Sequence, residues 1–238
     1  MNDNILGRKS KTHGQAGLFF EIANLKAGDL MIAIIDYGVG NLYSVEKALK
    51  FVGGEVKVTS SAADLKSADK LVLPGVGAFG DCMKNLKATG LIPTILEQVL
   101  MNKPLLGICV GLQILFESSE ESPNVKGLGV FKGEVKKIRA DGLKIPHMGW
   151  NSIKIGRKDN LIKFGASKLF GGLEGTNYFY FVHSYHAVPS NENLVTATTE
   201  YGENVTAAVE LGKVFATQFH PEKSGDVGLK VLKNFVEL

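Results

Sequence analysis

The sequence predicts an α/β fold built on a mostly parallel sheet, and two patterns carry that prediction. From residue 31 to about residue 120, short apolar runs alternate with amphipathic, capped stretches. Beyond Glu121 strand-like runs follow one another, so the second half is expected to be rich in antiparallel pairing. At 238 residues and 45% apolar content the chain has enough material for one sizeable core.

The elements follow in order. "MIAIID" at 31–36 reads as a short buried strand. Asn41 ends the turn "GVGN" and is placed to cap a helix whose Leu42, Val45, Leu49 and Val52 share one face. "EVKVT" is a second strand, and Ser61 with Asp64 has capping-box-like spacing at the head of the next helix. "KLVLP" is a third strand, and a glycine-rich turn leads from it into a helix beginning near Phe79. A further helix has Pro93 near its start. "PLLGI" is a fourth strand, with "VGLQILFESS" as its helix. In the second half "GEVKKI", "NSIKI", "NYFYFVHSYHAV", "LVTATTEY" and "NVTAAVELGKVFATQFH" are strand-like, the last with a hairpin turn at Gly212. "GDVGLKVLKNFVEL" closes the chain as an amphipathic helix.

Residues 1–30 lack this alternation and precede a Met that opens a strand. They are expected to be an N-terminal extension outside the fold, with one domain at 31–238; a docking arm is the other reading. The charges nearly cancel, 27 basic against 24 acidic, with no long basic block, so neither nucleic acid nor a membrane surface is an expected partner. No apolar run approaches bilayer length. Two cysteines, Cys82 and Cys109, make no disulfide framework, which points to a reducing, cytoplasmic setting.

Cys109 lies between two glycines in "GICVG", after an apolar strand and before a helix. Such glycines permit a sharp turn that lifts a side chain to the carboxyl edge of the sheet, as in a nucleophile elbow. The helix N-terminus there favours a thiolate. A buried Cys beside a tight turn is the alternative. A thiolate that attacks an amide needs a base to protonate the leaving amine. Of five histidines, only His220 has a carboxylate two residues on, Glu222, with Pro221 between. In extended chain the two point the same way, so Glu222 can orient the imidazole; a capping turn at a strand end competes with this reading.

"GVGAFG" at 75–80 matches a dinucleotide fingerprint, yet the acidic residue expected about 20 residues on falls within a helix pattern, at Glu97. The other reading is a loop whose N–H groups, with that of Val110, hold an oxyanion. A metal site made of His183, His186, His220 and Glu222 remains a rival, although the spacing fits no compact zinc motif.

Together "GICVGLQ" and "HPE" resemble the nucleophile and His-x-Glu motifs of triad-type, class I glutamine amidotransferases. "DYGVGNLYSV", "LPGVGAF", "PHMGWN", "YFVHSYHA" and "QFHPEKSG", spread over residues 31–238, are similar to the glutaminase subunits of imidazole glycerol phosphate synthases. The resemblance implies a flavodoxin-like three-layer α/β fold with a central, mostly parallel sheet. It implies hydrolysis of L-glutamine to glutamate and ammonia by Cys109, His220 and Glu222, without metal or cofactor. Ammonia then passes to a (β/α)₈-barrel cyclase subunit, the partner in a heterodimer of histidine biosynthesis. Gly75, Val76 and Gly77 are the implied oxyanion loop, with Val110; Gln113, Ser184 and Tyr185 hold substrate. His147, Met148, Trp150 and Asn151 face the cyclase. An amidotransferase feeding another acceptor keeps every one of these motifs, and a non-catalytic scaffold subunit is a further alternative that the intact Cys109, His220 and Glu222 oppose.

Overall fold

A computed structural model describes residues 30–156 and 167–238. Most of the expected extension, residues 1–29, therefore lies outside the described residues. Strands β1 (Met31–Ile35), β2 (Glu55–Thr59), β3 (Lys70–Gly75) and β4 (Leu105–Cys109) alternate with helices α1 (Leu42–Phe51), α2 (Ala62–Ser67), α3 (Phe79–Ala88) and α4 (Ile92–Leu100). Helix α5 (Val110–Ile114) follows β4 directly. Then come β5 (Ser118–Ser119), β6 (Gly133–Lys137), β7 (His147–Ile155), β8 (Asn177–His183), β9 (Tyr185–Pro189), β10 (Val195–Tyr201), β11 (Glu203–Leu211), β12 (Val214–Thr217) and α6 (Gly225–Val236).

Among the described residues nine strands form one sheet, in the order β2-β1-β3-β4-β12-β11-β10-β7-β8. The pairs from β2 through to β12 are parallel and those beyond β12 antiparallel. Every residue of β3 and β4 is buried, as expected of central parallel strands covered on both faces. A second sheet of three strands, β5-β6-β9, packs beside it. The fold is the mixed α/β architecture expected, with a mostly parallel first half and an antiparallel second half.

Local chemistry explains the helix starts. Asn41 accepts the Ser44 N–H at 3.3 Å and Ser61 the Asp64 N–H at 3.4 Å. The Asp64 carboxylate reaches back through Thr59, whose hydroxyl it accepts at 2.6 Å and which in turn accepts the Ser61 N–H. The hairpin turns at Gly212, φ +62, between paired Leu211 and Val214.

Two elements differ from expectation. The helix expected over 110–119 ends at Ile114, because residues 127–131 fold back: Leu128, Phe131 and Gly129 N–H groups take the carbonyls of Ile114, Leu115 and Phe116. The run "NYFYFVHSYHAV" divides at Ser184, with β8 in the large sheet and β9 in the small one.

Lys70 was not foreseen as buried, yet it is only 3% exposed. Its ammonium donates to the carbonyls of Phe235 (3.1 Å) and Val236 (2.5 Å), satisfying and charge-balancing the C-terminus of α6. Burial pulls its pKa down. Lys70→Met keeps the apolar stem and removes both donors. We expect a loss of about 2 kcal/mol, or about 4–8 °C in thermal midpoint by calorimetry; an unchanged midpoint would show the clamp to be dispensable.

Candidate active site

Cys109 ends β4 and caps α5 with φ +55 and ψ −110. A side-chain-bearing residue there costs on the order of 1–3 kcal/mol and persists only where its surroundings impose it. Three glycines permit those surroundings. A Cβ on Gly111 would lie 1.9 Å from the Leu73 carbonyl oxygen, one on Gly107 2.8 Å from Leu115 Cδ1, and one on Gly75 2.6 Å from the Gly111 nitrogen. The glycines flanking Cys109 therefore let β3, β4 and α5 close on one another. Gly111→Ala is expected to cost about 1–3 kcal/mol by overpacking, seen as a lower thermal midpoint; wild-type stability would mean that β3 yields freely.

Sheet order brings the other groups to this elbow. β4 lies between β3 and β12. Gly75 is registered with Cys109, and Thr217 with Ile108. The chain leaving β3 and the chain leaving β12 therefore both emerge beside the sulfur, at the carboxyl ends of parallel strands.

His220 and Glu222 meet with Nδ1 and Oε1 2.7 Å apart, both almost fully buried. The extended geometry expected between them is replaced by a 3₁₀ turn, Pro221–Lys223. Gly228 allows this turn to seat on α6, since a Cβ there would lie 2.0 Å from the Pro221 carbonyl oxygen. Ser224 fixes it further, its hydroxyl donating to the His220 carbonyl at 2.6 Å and accepting the Tyr180 N–H at 3.0 Å.

His220 Nε2 has no hydrogen-bond partner among the described residues. Burial works to lower the His220 pKa, but the nearby Cys109 sulfur and the Glu222 carboxylate outweigh it and raise the group to about 10. Cys109 thus biases the imidazole without a hydrogen bond of regular geometry to it. The Cys109 sulfur accepts the Gln218 side-chain N–H at 3.8 Å.

A cavity of about 300 Å³ opens at the sulfur. Val76, Gly77, Cys109, Val110, Gln113, Ser184, Tyr185 and His220 all line it, as does the expected site except Glu222 and Gly75. Glu222 stands behind His220, and Gly75 is packed inward. Four further lining residues were missed: Glu121, Pro146, Val182 and His183. Pro146 lies within "PHMGWN", and Val182 and His183 within "YFVHSYHA", motifs already singled out; nothing local marks Glu121.

The glycine loop is anchored at both ends. The Tyr37 hydroxyl donates to the Pro74 carbonyl at 2.5 Å, and the Phe79 N–H donates to Glu121 at 2.7 Å. Between them Gly77 adopts φ +86, and the Val76 carbonyl accepts the Cys82 thiol at 3.3 Å. In a trans peptide the N–H opposes the carbonyl, so the Gly77 N–H is turned away from Cys82. The acidic residue a dinucleotide site needs is elsewhere: Glu97 sits on α4, paired with Lys66 at 2.9 Å.

The rival metal set does not assemble. His183 is engaged by His147 and the Tyr185 carbonyl, His186 by the Thr206 N–H and Glu203, and His220 by Glu222. Among the described residues no group of three or more His, Cys, Asp or Glu could hold a metal ion.

Of the expected partner-facing residues, Met148 and Trp150 are 62% and 57% exposed and Asn151 is half-buried. His147 is a correction: its side chain is buried, stacked between Phe181 (4.7 Å) and Tyr201 (4.0 Å). Alternation along β7 turns it inward, so its side chain presents no surface to a partner.

The family model for class-I glutamine amidotransferases matches residues 33–238. An imidazole glycerol phosphate synthase subunit HisH from Moorella thermoacetica is 52% identical over 207 residues, covering 87% of this chain and 94% of that protein. One from Methanocaldococcus jannaschii is 50% identical over 208 residues, covering 87% of this chain and 100% of the other. Among solved structures, a crystal structure of a glutamine amidotransferase superposes with a TM-score of 0.66 at 22% identity, over 87% of this chain and 99% of that one. PurLQS from Thermotoga maritima gives a TM-score of 0.66 at 20% identity, over 87% and 98%; at such identities the two structures speak for the fold alone.

Proposed function

Because the chain belongs to the class-I glutamine amidotransferase family, we propose that it is the glutaminase subunit of an imidazole glycerol phosphate synthase. It hydrolyses L-glutamine to glutamate and ammonia, and a (β/α)₈-barrel cyclase subunit consumes the ammonia in histidine biosynthesis. The observation that carries this reading is one cavity lined by Cys109, His220, Gln113, Ser184 and Tyr185, with Glu222 behind His220. The amidotransferase unit is residues 31–238, and the setting is cytoplasmic, in keeping with two free cysteines. Among the described residues no helix is long and apolar enough to cross a membrane.

The geometry supports the following chemistry. The Cys109 S–H bond breaks as its proton passes to His220 Nε2, and the sulfur attacks the side-chain amide carbon of glutamine, forming a C–S bond while the C=O electron pair moves onto oxygen. The oxyanion takes hydrogen bonds from N–H groups of the 75–77 loop and Val110. His220 Nε2 gives its proton to the departing nitrogen, the C–N bond breaks and ammonia leaves. Water then attacks the thioester, His220 takes a proton from it, and the C–S bond breaks to release glutamate. Glu222 holds Nδ1 throughout. Gln113 spends both Nε2 hydrogens internally, on the Tyr185 carbonyl (3.0 Å) and Gln218 (3.1 Å). Its Oε1 is left to meet the substrate, and an acceptor there suits the α-ammonium group.

The test is reconstitution. With a barrel cyclase subunit and its acceptor, glutamine consumption should be coupled to formation of imidazole glycerol phosphate. Coupling only to a different acceptor synthase would assign another amidotransferase, and no turnover with any would leave a scaffold subunit. Unpartnered release of ammonia is wasteful, and the glycines of the 75–77 loop allow its peptides to reorient. If that reorientation supplies an oxyanion donor, the acceptor-loaded complex should exceed the isolated chain by about 10²–10³ in kcat. Equal rates would rule the switch out.

A further inference from the structure

An ordered file of hydrogen bonds runs from strand β7 to the sulfur. Asn151 Nδ2 lies 3.2 Å from His147 Nε2, His147 Nδ1 lies 3.0 Å from His183 Nε2, and His183 Nδ1 lies 2.8 Å from the Tyr185 carbonyl oxygen. The two ends fix the direction of every bond. A carbonyl only accepts, so His183 Nδ1 carries a hydrogen. The Asn151 amide is oriented by its other partners: Oδ1 accepts the Ser152 N–H at 2.8 Å, and Nδ2 donates to the Glu200 carbonyl at 2.9 Å. Nδ2 therefore donates to His147, whose Nε2 is bare. A neutral His147 then carries its hydrogen on Nδ1, aimed at a bare His183 Nε2. All three bonds are mutually consistent only with both rings neutral. Burial acts in the same sense, lowering His147 to about 4 and His183 to about 3.

The file continues past Tyr185. Its carbonyl also accepts from Gln113 Nε2 at 3.0 Å; Gln113 donates to Gln218 Oε1 at 3.1 Å, and Gln218 Nε2 faces the Cys109 sulfur at 3.8 Å. At its outer end, His147 and Asn151 alternate along β7 with the exposed Met148 and Trp150.

We propose that His147 and His183 are positioning residues, a one-way neutral relay that fixes the Tyr185 carbonyl and, through it, Gln113 and Gln218 beside the Cys109 sulfur. The functional half of this inference rests on the glutaminase reading. The relay itself does not, since it is a statement about hydrogens. Rings that only packed in the core would be free to choose either tautomer; the relay requires both to hold the hydrogen on Nδ1.

Two measurements decide it. In ¹⁵N spectra of the full chain at neutral pH, both rings should be neutral with Nδ1 protonated, and a coupling across the hydrogen bond should join His147 Nδ1 to His183 Nε2. Either ring found charged, or with its hydrogen on Nε2, would overturn the proposal. The second measurement is glutaminase turnover in the complex with the cyclase subunit. His147→Phe keeps an aromatic ring between Phe181 and Tyr201 but cannot donate. His147→Asn places an amide N–H where Nδ1 was. Phe should lower kcat about tenfold, Asn should recover it to within about threefold, and glutamine KM should move less than about twofold in either. Unchanged kcat in His147→Phe, or equal losses in both variants, would overturn the positioning role. If His147→Phe fails to fold, the wild-type spectra decide alone. An inactive wild-type complex would instead count against the glutaminase reading.

Discussion

Cys109→Ala should lower glutamine hydrolysis by at least about 10⁴ in kcat while leaving the fold in place. On the proposed mechanism the sulfur forms the covalent bond, so the loss is large, and the other cysteine, Cys82, is turned to the Val76 carbonyl. The fold is spared because alanine and cysteine pay the same backbone strain at φ +55, and the elbow is imposed by Gly75, Gly107 and Gly111. Synthesis driven by added ammonia should survive in the complex, since on the proposed reading the partner subunit performs the acceptor chemistry. A glutamine-mimicking electrophile should label Cys109 and spare Cys82, whose thiol burial pushes up to about 11. Near-wild-type glutaminase activity in Cys109→Ala would remove the nucleophile assignment.

The parallel half of the fold was legible because its information is local. Asn41 and Ser61 cap the helices they precede, Gly212 turns its hairpin, and β4 and the part of β3 after Lys70 carry no polar side chain other than the Cys109 thiol because both faces are covered. The short α5 was not legible, since the bonds that end it come from residues 128, 129 and 131, supplied by a loop with no pattern of its own. Cys109, His220 and Glu222 stood out because their chemistry needs glycine and proline neighbours that leave a mark in sequence. Lys70 and His147 left none. What buries them is a helix terminus about 165 residues away in one case, and Phe181 and Tyr201 in the other. Likewise the division at Ser184, which places Ser184 and Tyr185 at the cavity, depends on which sheet each half of one continuous apolar run joins.

Glu222→Gln isolates the charge behind His220 from the shape of the site. The native carboxylate lies 2.7 Å from Nδ1 and is 1% exposed, so the amide enters the same dry space. If the amide nitrogen faces the ring, Nδ1 must accept, the hydrogen moves to Nε2, and the ring can no longer take a proton there. If the amide oxygen faces the ring, the hydrogen bond stays but the imidazolium loses its anion. Both arrangements should lower kcat by about 10²–10⁴ with little change in glutamine KM. A loss under about tenfold would show that orientation of the ring, without the charge, is enough. A second readout follows from proton linkage. The folded His220 pKa, about 10, lies above its ordinary 6.5. Its contribution to stability is therefore complete below about pH 6.5 and is lost as pH rises towards 10. Glu222 is one of the two groups that raise it, the Cys109 sulfur being the other. In wild type the thermal midpoint should fall across that window, and in Glu222→Gln it should fall less. Parallel curves would mean that the sulfur alone holds the proton on His220, and that Glu222 acts only by its shape.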